Sequence, residues 1–229
     1  YGASIMPEPI VKELGQRLPE SGLYNCYGQS EIAPLATVLA PEEHAERPAS
    51  CGRPIFNVET RIIDPATGEE CAPGQQGELV HRSPQLMVGY WDKPEQTEEA
   101  FAGGWFHSGD LGYRDEEGYI WIVDRIKDIV NTGGVLVASR DVEEALYTHP
   151  DVDEVAVIGV PDDKWIEAIA AVVVLRPEAD QNAEGLIRHA RDNLAPFKVP
   201  KHVHFVQQLP KNTSGKLLKR ALRQQFSER

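Results

Sequence analysis

The chain has 229 residues, 41% of them hydrophobic and 26% charged, which suffices for one large or two modest cores and excludes a disordered chain. A net charge of −13 opposes general nucleic-acid binding, which needs lysine and arginine to displace phosphate counterions. No run reaches the roughly 18 apolar residues of a membrane helix, and no charged-then-apolar leader is present, so the expectation is a soluble, cytoplasmic protein.

The chain begins with Tyr1, and "YGASIMPEPIVKEL" reads as a strand end followed by a helix with Pro7 and Pro9 near its first turn, as if the sequence started inside a domain. "GLYNCYG" follows as a short buried strand, and residues 32–50 read as proline- and glutamate-rich loop. From Cys51 to Val123, "VETRIID", "GELVHRS" and "GYIWIVD" are β-rich runs split by turn sequences, predicting a small antiparallel sheet or barrel. Beyond Asp124, "DIVNTGGVLVA" predicts a hairpin and "SRDVEEALYTH" a helix capped by Ser139. "VDEVAVIGV" and "AIAAVVVLR" predict two strands, "AEGLIRHARDNL" a helix and "HVHFV" a last strand, an alternation typical of a compact α+β unit.

Charge divides the chain at the same place. Residues 1–124 hold 21 acidic and 8 basic residues, whereas residues 125–229 hold 15 of each. Two domains are therefore expected, 1–124 and 125–229, with the boundary near 124–128. Residues 197–229 carry eight Lys and Arg against the single Glu228, a basic tail that suits a local anion.

Several motif readings fail. "YGQSEIAP" lacks the last glycine of a nucleophile elbow, because Ile32 stands there. "HSGDLGY" has no H-R-D loop before it to make a kinase magnesium loop. The "SGK" near Lys216 is no Walker loop, since Pro210 and Leu217 occupy its first glycine and its Ser/Thr positions. His202 and His204 share a strand face without a third ligand, and Cys26, Cys51 and Cys71 have no zinc or redox spacing. Singly, Asp110 reads as a turn residue, Gly133-Gly134 as a hairpin turn and Lys216 as a solvated lysine.

In order, however, "YGQSE", "GRP", "GELVHRSPQLMVGYW", "GWFHSGDLGY", "DRIKD", "GG…SRDVEEAL", "APFKVP" and "LPKNTSGKLLKR" closely resemble the second half of the adenylate-forming superfamily of acyl-CoA synthetases, aryl-CoA ligases, luciferases and adenylation domains. The resemblance implies a mixed, α+β fold. Residues 1–124 correspond to the end of a large AMP-binding domain, an αβ sheet layer plus a small antiparallel β-barrel, and 125–229 to a small mobile domain hinged at Lys127. It implies ATP, Mg2+ and coenzyme A as ligands and a carboxylic acid as substrate, with a bacterial fatty-acyl-CoA synthetase of medium or long chain the nearest pattern. An aryl-CoA ligase or an acyl-AMP ligase is the alternative inside the family, and a non-catalytic nucleotide-binding module the alternative outside it.

By residue, the resemblance places Tyr27 against the adenine, with Gly2, Ala3 and Gly28 allowing close backbone approach. It gives Glu31 to the magnesium ion, Asp110 to the ribose hydroxyls and Arg125 to the ribose or phosphates. Gly133 and Gly134 would line the passage for the pantetheine thiol, and Lys216 would neutralise charge on the carboxylate and α-phosphate. Two departures stand out. "GGVLV" puts Val135 and Leu136 where related fatty-acid enzymes have an acidic and an amide residue, and nothing matches the family's phosphate-binding loop, so the chain is expected to be a C-terminal fragment inactive by itself.

Overall fold

The structure is a computed structural model and describes residues 1–2, 6, 8–213, 215 and 217–226. Ala3 and Lys216 lie outside the described residues. The fold is mixed α/β with several antiparallel sheets, arranged as two compact units, Tyr1–Ile126 and Lys127–Arg229.

In the first unit, α1 (Glu8–Arg17) buries Val11 and displays the i,i+4 pairs Glu8–Lys12 and Glu13–Arg17 on its outer face. A three-stranded antiparallel sheet follows, β1 (Asn25–Tyr27), β2 (Thr37–Leu39) and β3 (Arg53–Pro54), and Gly2 bridges Cys26 in parallel. The strand β2 lies inside the stretch expected to be loop. Its three residues, between Pro34 and Pro41, are too short to show a period, yet Thr37 and Leu39 are fully buried and Thr37 Oγ1 donates to Cys51 O at 2.5 Å.

A second antiparallel sheet contains β4 (Glu59–Ile63), β5 (Gly77–Arg82), β6 (Phe106–Arg114) and β7 (Ile120–Arg125) in that order, with α2 (Pro94–Ala100) preceding β6. Of the expected sheet or barrel, the described residues form the sheet, and no pairing among them closes β7 onto β4. A bridge between Gly52 and Ile120 instead joins β7 to the approach to β3. Tyr27 packs against two apolar clusters, one of Cys51, Ile62, Cys71, Leu79 and Ile120 and one of Ile32, Ala36 and Val58. Its ring is thereby fixed at the junction of both cores.

His81 sits in this interior at 1% exposure, stacked on Phe106, with Thr60 Oγ1 2.9 Å from Nδ1 and no partner at Nε2 among the described residues. Burial pushes its pKa down to about 4 from 6.5. The unfolded chain therefore takes up a proton that the native state refuses. The stability is whole above pH 6.5 and is lost progressively as pH falls from there toward 4. Denaturant titrations should show a loss of about 2 kcal/mol between pH 7 and pH 5 that disappears in His81→Leu. An unchanged slope in that variant would assign the acid sensitivity to other groups.

The second unit is built on one sheet of order β10-β11-β8-β9, comprising β8 (Val130–Thr132), β9 (Val135–Val137), β10 (Val152–Asp162) and β11 (Ile166–Leu175), with β12 (His202–Phe205) parallel to β11. The near-continuous apolar runs of β10 and β11 arise because both faces are covered. Val155, Val157, Ile169, Ala171 and Val173 meet Val142 and Leu146 of α3 (Ser139–Tyr147) and Leu186 and Ala190 of α4 (Ala183–Asn193). The alternate residues Ala156, Ile158, Ala168, Ala170 and Val172 meet Leu222 and Phe226 of α5 (Lys219–Phe226).

Ser139 is not the cap of α3 as expected. Ala138 occupies that position, and Ser139 is the first helical residue, fully buried, its Oγ accepting from Lys219 Nζ at 2.6 Å. Lys219 also pairs with Glu143 at 2.7 Å, and Arg223 with the buried Asp128 at 2.7 Å. These pairs and Leu222 fix α5. Just before it, Lys211 bridges Leu217 and Leu218 N donates to Pro210 O at 2.8 Å.

Candidate functional site

A polar cluster of the first unit is centred on the buried Asp110, 5% exposed. Tyr27 Oη and Gln29 Nε2 each donate to its Oδ2 at 2.8 Å, and Arg125 Nε lies 3.2 Å from Oδ1. The strand register produces the last contact, because Asp110 on β6 faces Arg125 on β7. Gln29 Nε2 also donates to Ser108 O at 2.8 Å. Burial, and then the neighbouring Asp110 charge, push the Tyr27 phenol well above its ordinary range, so it remains a protonated donor.

A carboxylate offers about four lone-pair directions, and three partners occupy Asp110 here. The cluster therefore holds the carboxyl group in one orientation while leaving capacity for a further hydroxyl. Gly28 follows Tyr27 where the chain doubles back. A Cβ there would stand 1.9 Å from Pro34 O, so only glycine fits.

Glu31 lies in a 3-10 turn, Ser30–Ile32, whose Ile32 is fully buried; this is not the strand–turn–helix of a nucleophile elbow. Tyr90 Oη donates to Glu31 Oε1 at 3.0 Å, and Met87 N donates to Glu31 O at 2.7 Å, tying the turn to the "GYW" segment. Burial first, and the Glu31 hydrogen bond second, raise the Tyr90 pKa. One Glu31 oxygen is thus engaged, and the other suits a hard cation whose remaining ligands come from phosphates and water. Among the described residues no group of three His, Cys, Asp or Glu is placed to hold a metal by itself.

Tyr27, Asp110 and Arg125 are thus brought together, Glu31 is held separately by Tyr90, and Gly2 bridges Cys26 next to Tyr27. Gly133, Gly134 and Lys127 belong to the other unit. Gly133 has φ 66°, its N donates to Trp165 O at 2.6 Å, and a Cβ would meet the Trp165 ring at 2.7 Å. Packing against Trp165 is therefore already a reason for glycine there. Val135 and Leu136, on the strand that follows, are exposed at 43% and 69% and form an apolar edge. Lys127 is exposed beside buried Asp128.

Gln29, Tyr90, Ser108 and Glu78 were missed as site residues. All four stand inside the quoted motifs, but only their contacts in the fold give them a role. The three thiols are free, and burial pushes that of Cys51 up to about 12, leaving it protonated and inert.

The first unit is thus an antiparallel β platform presenting a buried, tyrosine-held carboxylate, and a small α+β unit follows it in the chain. The family model for AMP-binding enzymes matches residues 1–91, and that for the AMP-binding enzyme C-terminal domain matches residues 141–216. The chain belongs to the adenylate-forming superfamily.

It is 40% identical to a long-chain-fatty-acid–CoA ligase of Bacillus subtilis strain 168, over 99% of this chain and 40% of that protein. It is 41% identical to a feruloyl-CoA synthase of an Amycolatopsis species, over 95% of this chain and 45% of that one. ATP-bound MatB from Rhodopseudomonas palustris superposes with a TM-score of 0.91 at 34% identity, over 99% of this chain and 45% of that structure. The chain spans less than half the length of these relatives. No helix among the described residues is long and apolar enough to cross a membrane.

Proposed function

We propose that this chain contributes to an ATP-dependent, AMP-forming acid–CoA ligase acting on a medium- or long-chain fatty acid. The observation that carries the reading is the buried Asp110 carboxylate, fixed by Tyr27, Gln29 and Arg125. Such an acceptor suits the vicinal hydroxyls of a ribose, to which an ionised carboxylate makes strong hydrogen bonds.

In the first half-reaction a substrate carboxylate oxygen attacks the α-phosphorus of ATP, the bond to the β-phosphate oxygen breaks, and pyrophosphate leaves. In the second, the deprotonated thiol of coenzyme A attacks the acyl carbon and AMP leaves. Asp110 orients the ribose, with Tyr27 beside the base and Arg125 adding positive charge nearby. Glu31 would help to hold Mg2+, which shields the phosphate charge. Lys216 would supply a positive charge where negative charge accumulates during adenylation. Residues 125–229 act as a small domain turning about Lys127 between the two half-reactions, and Gly133-Gly134 leaves the thiol room to pass. The reaction requires the counterpart of the region that the relatives carry beyond the matched span.

A second reading, an aryl acid as substrate, is favoured by the equal likeness to the feruloyl-CoA synthase. The deciding experiment is acid-dependent acyl-CoA formation by the complete protein with fatty and hydroxycinnamic acids. The proposal expects fatty acids to be favoured by roughly tenfold or more in kcat/KM. Turnover of aryl acids alone would replace the substrate, and thioester formation only on a carrier protein would replace the acceptor.

A further inference from the structure

Asp110 does not sit in a regular ladder. Glu78 of β5 faces Leu111 of β6, but Val80 faces His107, so two steps along one strand match four along the other. Ser108, Gly109 and Asp110 therefore bulge out opposite Leu79. A bulge re-aims side chains and strips backbone groups of their ladder partners. Here side chains replace those partners. Ser108 Oγ donates to Leu79 O at 2.6 Å and accepts from Asp110 N at 3.0 Å, while Glu78 Oε1 accepts from Gly109 N at 3.0 Å.

Glu78 is 8% exposed, and the reaction outlined above gives it no task. Its second oxygen, Oε2, lies 2.9 Å from His107 Nδ1, and His107 Nε2 lies 3.2 Å from Ala102 O. The carboxylate thus clamps the bulge at two points, the residue before Ser108 and the residue after it. Gly109, with φ 70°, adopts the left-handed backbone that this clamp requires.

We propose that Glu78 is a positioning residue for nucleotide recognition: its carboxylate sets the Gly109 turn and thereby aims Asp110 at the ribose hydroxyls. This rests on the reading of Asp110 as the ribose acceptor. The carboxylate itself touches no substrate. Its effect passes through the backbone of the bulge.

The test is the ratio of kcat/KM for ATP to that for 2′-deoxy-ATP in the complete protein. Hydrogen bonds to a charged acceptor make this ratio roughly tenfold or larger in the native enzyme. Asp110→Ala should bring it close to unity. Glu78→Ala should remove most of it, and Glu78→Gln, which keeps an acceptor for Gly109 N, should restore it.

If Asp110→Ala abolishes discrimination while Glu78→Ala retains it, the positioning role is wrong and the ribose reading stands. An equal loss with both nucleotides, leaving the ratio unchanged, likewise marks Glu78 as merely structural. If Asp110→Ala itself retains the ratio, the ribose reading fails. Should Glu78→Ala not fold, Gly109→Ala carries the same test, because its added Cβ meets no atom within 4 Å and disturbs only the left-handed backbone. An unchanged ratio in that variant overturns the proposal.

Discussion

Replacing Lys216 by alanine in the complete protein is expected to slow acyl-adenylate formation by roughly 10²–10³-fold, the scale of losing one preorganised charge contact in a transition state. Transfer from preformed acyl-adenylate to coenzyme A should continue at the native rate. The asymmetry follows from charge. Attack of a carboxylate on a phosphate brings two anions together, whereas thiolysis of the neutral acyl carbon releases AMP without that encounter. Lys216 itself lies outside the described residues; among its neighbours, Lys211 pairs with Glu154 at 2.6 Å and bridges Leu217, and α5 is fixed by Lys219 and Arg223. A single-turnover comparison of the two half-reactions provides the check. Equal loss in both would contradict a lysine that serves adenylation alone.

Replacing Asp110 by alanine is expected to lower kcat/KM for ATP by roughly 10²-fold, since the ribose hydrogen bond to a carboxylate and the anchor shared by its protein partners disappear together. Tyr27 and Gln29 would lose their shared acceptor, and Arg125 its nearest carboxylate. Asp110→Asn separates geometry from charge. It preserves the shape and one carbonyl acceptor, so its loss should be smaller, while a fully functional Asn variant would show that the ionised form is not needed. Circular dichroism and thermal melts on both variants distinguish loss of recognition from loss of fold.

How far the sequence discloses this arrangement depends on the range of each interaction. The helices α3 and α4 are legible from their helical period, and the strands β10 and β11 from continuous apolar runs of strand length that both cores then use. The strand β2 was not, since three residues between prolines show no period. Taken singly, Asp110 reads as a turn because glycines stand near it, yet it belongs to β6, and Gly109 is part of a bulge inside the strand. Ser139 looked like a cap by position, but the helix begins one residue earlier so that its hydroxyl can receive Lys219 from 80 residues away. The order of motifs carried Tyr27, Asp110 and Arg125; the strand register pairs the last two, and the Tyr27 hydroxyl reaches Asp110 from another sheet. That order carried nothing about Glu78 or Gln29, whose parts are set by partners that only the fold supplies.

The central claim is that the nucleotide held at Asp110 is cleaved between its α- and β-phosphates. Incubating the complete protein with ATP, Mg2+, a fatty acid and coenzyme A, and following all nucleotide products together, tests it most directly. AMP and pyrophosphate should appear in equal amounts with acyl-CoA, and both should depend on the acid. Formation of ADP and orthophosphate, or nucleotide turnover indifferent to the acid, would contradict it.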